Sequence, residues 1–153
     1  MFMERERQTG QEYFGTLLQT VVGQAFAAAG YQLERAPLQS AGGRFRYVKS
    51  FSDRARGIID FQVLVYSDTM WSSGASSRFR VQLTRATEPG GDVSRSLSRL
   101  VVEDFGVNIL PAADFWWTYN DTDSLGKALA EAGHLIVGYG LPWLAGELSP
   151  PLD

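Results

Sequence analysis

The chain has 153 residues, no cysteine and a single histidine, His134. A chain of this length fits one domain that buries about 70% of its unfolded surface on folding. The lack of cysteine excludes disulfides, thiolate metal sites and cysteine nucleophiles, and the lone histidine excludes sites that need two imidazoles. Carboxylate chemistry, a site built on one histidine, and binding without catalysis stay open.

The charge balance bears on the possible partners of the protein. Fourteen Lys and Arg stand against 17 Asp and Glu, a formal net charge of -3. Nucleic-acid binding depends on surplus cations that neutralise phosphates, so we expect no nucleic-acid partner.

The initial MFMERERQ lacks the apolar stretch of a signal peptide, and the apolar segment His134 to Gly146 is shorter than the roughly 20 residues of a membrane span. These features predict a cytoplasmic bacterial protein without membrane contact.

The first predicted element is an amphipathic helix from Thr9 to Ala29. Thr9 and Glu12 form a T-x-x-E capping box, and Gly30 suits the left-handed position after the last turn. At 100° per residue one stripe of the helix is apolar. The stripe consists of Phe14, Leu17, Leu18, Val21, Ala25 and Ala29.

After Gly30 the apolar residues alternate with polar ones, as in half-buried strands. The strands are predicted at Tyr31 to Arg35, Arg44 to Phe51, Gly57 to Tyr66 and Ser77 to Arg85. The connections between them are too short for helical crossovers, so neighbouring strands should be antiparallel. An antiparallel sheet of this pattern has one apolar face to cover and one face in water.

The segments after the fourth strand complete the prediction. We expect a short helix from Asp92 to about Leu100, an extended stretch to Leu110, and a strand at Phe115 to Tyr119. A closing helix begins near Asp121, with Asp121 or Thr122 as N-cap, and runs to about Tyr139, where Gly140 and Pro142 are a typical stop signal.

These elements predict a single α+β domain over residues 9–146, with a flexible N-terminus at 1–8 and a flexible tail at 147–153. An antiparallel sheet of four to six strands would be covered on one face by the N-terminal and C-terminal helices, because its apolar side must be buried.

Catalytic signatures are missing from the sequence. There is no G-x-S-x-G elbow, no Walker loop, no G-x-G-x-x-G and no D-x-D-x-D-G calcium loop. His134 falls about 180° from the apolar stripe of its helix, so it should face solvent rather than a site. We therefore predict no catalytic residue, no cofactor and no metal, and these absences favour a non-enzymatic protein over an enzyme.

The polar face of the sheet is the first candidate binding surface. Spacing of two places Arg44 with Arg46 and Arg78 with Arg80 on one face, and Asp60 with Gln62 on the strand between them. Four guanidinium groups around one acid can receive a carboxylate, a phosphate or an acidic protein surface through bidentate hydrogen bonds. The alternative is an ordinary solvated face with cross-strand ion pairs of little energetic consequence.

Tryptophans supply the second set of candidates. Trp116 and Trp117 are adjacent, so in a strand one ring enters the core and the other faces outward, where it can stack beside the arginines. Trp117 is taken as the candidate from this pair. Trp71, in the Ser- and Gly-rich loop from Ser67 to Ser76, is a candidate anchor for a protein partner or a homodimer contact.

The order of several short motifs resembles a known family. They are A-A-G-Y (Ala28 to Tyr31), an arginine-bearing strand, Phe61-Gln62, D-x-W-W (Asp114 to Trp117) and G-L-P-W-L (Gly140 to Leu144). Together they resemble the bacterial domain-of-unknown-function family numbered 4304, from about Gln11 to Leu144, with no match visible between Glu88 and Leu110. The resemblance implies a small intracellular bacterial α+β protein and assigns no functional residue.

Three functions are consistent with these features. The favoured hypothesis is a non-enzymatic interaction module, of the kind that neutralises a toxin, using the arginine-bearing face or Trp71. The second is an enzyme or small anionic-ligand receptor with a pocket lined by arginine, Asp60 and a tryptophan, which requires a real concavity. The third is a homodimerising structural protein.

Overall fold

The computed structural model describes residues 2–35, 42–64 and 77–150, with side chains from Gly10 onward. Its helices are α1 (Phe2–Ala28), α2 (Leu97–Arg99), α3 (Thr122–Leu135) and α4 (Leu141–Leu144). Its strands are β1 (Gln32–Leu33), β2 (Arg44–Ser52), β3 (Ala55–Leu64), β4 (Ser77–Thr87), β5 (Gly91–Ser96) and β6 (Trp117–Tyr119). Two π-helical turns, Leu100–Asp104 and Ile136–Gly140, continue α2 and α3.

The six strands form one antiparallel sheet, which confirms the predicted single-domain α+β class. Strands β1 to β5 lie in chain order, and β6 pairs with β4. Strand β3 pairs with one edge of β4 along nearly the whole length of β4, so β5 and β6 both pair with the other edge of β4. There β6 pairs with Ser77 to Phe79 and β5 with Gln82 to Thr87. The two strands diverge at the middle of β4.

The alternation in β3 and β4 decides which face is covered. Ile59, Phe61 and Val63 are almost fully buried, and β4 places Leu83, Val81 and Phe79 directly opposite them. Helices α1 and α3 lie over this apolar face and contact each other. Burial of these side chains is the main stabilisation of the fold, because the apolar surface removed from water contributes about 25 cal/mol per Å².

Helix α1 differs from the prediction at its start and in its buried stripe. It begins at Phe2 rather than at Thr9, so Thr9 and Glu12 lie inside the helix and do not cap it. Residues at i, i+4, i+8 and i+12 are buried, and these are Phe14, Leu18, Val22 and Phe26. Val21 and Ala25 are exposed, because the larger Phe26 turns inward and packs on Tyr47 at a ring-centroid distance of 5.0 Å. Gly30 has the predicted left-handed φ of 94°.

The segment between Gly91 and Asp104 corrects the prediction in both halves. The predicted helix from Asp92 to about Leu100 is wrong in its first part, because the backbone of Gly91–Ser96 pairs with the edge of β4 as a strand, whereas Leu97–Arg99 is helical as predicted. The extended stretch predicted next is wrong at its start, because Leu100–Asp104 is helical. Leu97, Leu100 and Val101 enter the core from this helical segment, a pattern that the sequence alone left ambiguous.

The closing helix begins as predicted. The Asp121 carboxylate accepts from the Ser124 backbone N–H at 2.8 Å, and the Ser124 hydroxyl accepts from the Asp121 backbone N–H. The predicted end near Tyr139 is wrong, because the helical backbone continues through Gly140 and Pro142 to Leu144. A side chain at Gly140 would place its Cβ 3.2 Å from Leu83 Cδ1, so this glycine permits close packing of the helix on the sheet.

None of the helices in the described ranges combines the length and the apolar character that crossing a membrane requires.

Candidate functional site

The predicted polar face exists, and strand pairing arranges it in rows. Arg44 on β2 lies opposite Gln62 on β3, which lies opposite Arg80 on β4; we call these three residues the arginine row. Next to it, Arg46, Asp60 and Gln82 form the acid row. All six side chains lie on the face that the helices leave uncovered, since they alternate with the buried residues of the same strands.

The charge of Asp60 is matched within the acid row. Arg46 Nε donates to Asp60 Oδ1 at 2.8 Å, and this hydrogen bond raises the pKa of the Arg46 guanidinium above its ordinary value. Both side chains are partly buried, at 34% and 25% exposed. Within the part of the chain that the structure describes, the second carboxylate oxygen of Asp60 has no hydrogen-bond partner, and it therefore presents an acceptor.

The arginine row presents donors. Arg80 Nε donates to Gln62 Oε1 at 3.0 Å, so the amide nitrogen of Gln62 is left as a donor. Arg44 and Arg80 are exposed, and neither forms an ion pair with a carboxylate of the described residues. Two strand spacings separate their backbones by about 10 Å, a gap that two long side chains can close around one bound group.

Both rows open into one concavity of about 290 Å³. Its described lining residues are Arg44, Asp60, Phe61, Gln62, Arg80 and Gln82, and we call it the arginine pocket. The volume is just below the range of small-molecule pockets, about 300 to 1,000 Å³. A flat solvated face would lack such a pocket.

Trp116 borders this face and contacts two arginines. The guanidinium carbons of Arg78 and Arg80 each lie 4.7 Å from the centroid of its ring. Such cation-π contacts contribute about 0.5–1 kcal/mol at exposed sites, and they hold two like charges beside each other. Arg78 Nε is buried and has no hydrogen-bond partner among the residues described.

The structure corrects the choice of tryptophan. Trp117 is 3% exposed, its ring stacks on Phe79 at a centroid distance of 5.5 Å, and its Nε1 donates to Glu131. Because Trp117 pairs with the inward residue Phe79, alternation turns Trp116 to the outer face. The sequence predicts that one ring of this pair faces outward, and the strand register shows that it is the ring of Trp116.

Two further predicted positions lie elsewhere. Trp71 is outside the described residues, and so is the loop on which the predicted homodimer contact depends. His134 is exposed on α3, as predicted, and lines a mostly apolar groove between α1 and α3 with Val21 and Val137. It lies on the helical layer, away from the arginine pocket.

The chemistry available at the arginine pocket is recognition of negative charge. Its lining combines guanidinium and amide donors with one carboxylate, and a bound anion would be held by charge-assisted hydrogen bonds. In the described ranges, no three His, Asp or Glu side chains come together as ligands for a metal ion.

Comparison with known proteins does not add to this description: no family model, no curated protein and no solved structure matches the chain. The resemblance to the domain-of-unknown-function family numbered 4304 stays a prediction.

Proposed function

We propose that this protein is a binding module that receives the anionic group of a small ligand in the arginine pocket. One observation carries the proposal: Arg44 and Arg80 flank a concavity without a carboxylate partner among the described residues, while Asp60 is already matched by Arg46. The unmatched positive charge and the free N–H groups converge on the same space. An anion placed there would satisfy both.

The expected energetic effect is large enough to measure. A hydrogen bond to a charged group contributes about 1.5–3 kcal/mol, and 1.4 kcal/mol is tenfold in affinity. Replacement of Arg44 or Arg80 by Gln should therefore weaken anion binding about ten- to a hundredfold.

A second candidate is an interaction module for an acidic protein surface, including that of a toxin. The observation that favours it is the cluster of Arg78, Arg80 and Trp116 at the border of the pocket. Arginine and tryptophan are enriched at the energetic centres of protein interfaces. This cluster lies on the sheet face that the described helices leave uncovered, with Arg80 exposed and Trp116 half-buried.

Calorimetric titration with small phosphates and carboxylates tests the first candidate. Arg44→Gln and Arg80→Gln are compared with Arg56→Gln, which removes the same charge from an exposed site on the same face of β3, about 20 Å along the strand from Gln62. We expect the first two variants to weaken binding and the third to bind as the wild type does. No binding by the wild type, or equal losses in all three variants, would refute the proposal.

Trp116→Ala separates the two candidates. If an acidic polypeptide is the ligand, this variant should weaken the binding of a glutamate-rich peptide far more than that of a small anion. If the pocket serves a small anion, peptide binding should be weak in the wild type and the substitution should leave small-anion affinity within a few-fold. Retention of peptide affinity in Trp116→Ala would remove the second candidate.

A further inference from the structure

The arginine row brings hydrogen-bond donors from three neighbouring strands to one pocket. Arg44 approaches from β2, Gln62 from β3 and Arg80 from β4, with Gln62 oriented as a donor by its hydrogen bond from Arg80. A carboxylate has two oxygens in one plane, which match the fork of a single guanidinium. Three separate donor side chains can each reach a different oxygen of a tetrahedral group that has three free oxygens, whereas a carboxylate offers only two.

The charge of the face favours a dianion. Arg44, Arg46, Arg78 and Arg80 lie there near two carboxylates of the described residues, Asp60 and Glu34, and both act on Arg46. Neither carboxylate forms an ion pair with Arg44 or Arg80. A phosphate monoester carries about -1.5 to -2 at neutral pH, against -1 for a carboxylate. Only the former balances both Arg44 and Arg80.

The acid row adds a second requirement. Each of its residues is two positions along its strand from a residue of the arginine row, so the two rows lie about 7 Å apart on the same face. Asp60 lines the pocket, and its second oxygen has no hydrogen-bond partner among the described residues, so a bare phosphate beside it would meet a like charge. A ligand with a hydroxyl or ammonium group at that distance would instead donate to this oxygen. The pocket volume of about 290 Å³ restricts such a ligand to a compact molecule.

We infer that the arginine pocket takes a small phosphate monoester that bears a hydroxyl or ammonium donor, of the polyol phosphate class. The phosphate lies on the arginine row and the donor on Asp60. This inference rests on the proposed function and narrows its ligand.

Three matched probes test the inference by calorimetric titration: glycerol 3-phosphate, propyl phosphate, which lacks the hydroxyls, and 3,4-dihydroxybutanoate, in which a carboxylate replaces the phosphate. We expect glycerol 3-phosphate to bind at least tenfold more tightly than either of the other two. Arg44→Gln should weaken both phosphates by about the same factor, and Arg56→Gln should leave all three affinities unchanged.

Asp60→Asn gives a test whose sign differs between the probes. The substitution removes the negative charge and replaces the acceptor oxygen by a donor, so propyl phosphate should bind more tightly. Glycerol 3-phosphate should lose its advantage over propyl phosphate. A variant that merely disturbed the sheet would weaken both, and circular dichroism with a thermal melt checks its fold.

The outcomes separate the inference from the proposed function. If the carboxylate probe binds as tightly as glycerol 3-phosphate, or the hydroxyls add nothing, the inference is wrong while anion binding stands. If none of the probes binds, and other phosphates and carboxylates also fail, the inference and the proposed function fall together.

Discussion

Two glycines in the closing helix should respond in opposite ways to the same substitution. A Cβ at Gly133 would lie 2.7 Å from Val22 Cγ1 on α1, whereas a Cβ at Gly126 meets nothing within 4 Å. Both residues lie in α3, and alanine improves the helix propensity at either position by about 0.5–1 kcal/mol. The difference between the variants therefore measures the contact between α1 and α3.

The magnitude follows from two opposing effects. Overpacking of a close contact costs about 1–3 kcal/mol, and Val22 cannot easily turn away because its χ1 angle is restricted in a helix. Gly133→Ala should therefore destabilise the protein by about 1 kcal/mol after the gain in propensity. Gly126→Ala should stabilise it by about 0.5–1 kcal/mol. For a chain of this size, 1 kcal/mol shifts Tm by about 2–4 °C.

Urea denaturation and thermal melts of the two variants provide the measurement. The control is Val22→Ala, which removes the clashing atom, so that Gly133→Ala should become stabilising in that background. If Gly133→Ala stabilises the wild-type protein as much as Gly126→Ala does, the close approach of the helices has no energetic effect and the reasoning is refuted.

Two pH predictions follow from individual side chains. Hydrogen bonds from Ser124 lower the pKa of Asp121, so the stabilising effect of its carboxylate should be full above about pH 4 and lost as the pH falls through the lowered pKa. The Tm difference between the wild type and Asp121→Ala should therefore become smaller in acid. A Tm difference that does not change with pH would contradict this prediction. Burial raises the pKa of Tyr31 and Tyr47 to about 12. Unfolded tyrosines lose their protons near pH 10, so stability should decrease as the pH rises from there toward 12, less steeply in Tyr47→Phe, as urea midpoints would show.

The outer face could be predicted from sequence because the side-chain period of a strand is local. Spacing of two, read along three separate strands, was enough to place Arg44, Asp60 and Arg80 on one side of the sheet. The rows and the pocket could not be predicted, since they depend on which residue lies opposite which across the strands.

Segment 91–104 shows where the local signal ends. Its apolar residues are consistent with a helix or a strand, and the open edge of β4 decided the outcome by pairing with Gly91–Ser96. Pairing satisfies backbone groups of a segment whose own periodicity is weak. Tertiary structure overrode the local preference for a helix at Asp92.

The class of the fold, the alternation of the strands and the start of the closing helix near Asp121 follow from local patterns in the sequence. The folded chain was needed to show that Asp121 rather than Thr122 is the cap, that Trp116 rather than Trp117 faces the arginines, and that Gly133 rather than Gly126 contacts another helix. These two groups of features differ in the range of the interactions behind them. Periodicity and capping act within a few residues, whereas strand register and helix contacts join residues far apart in the chain.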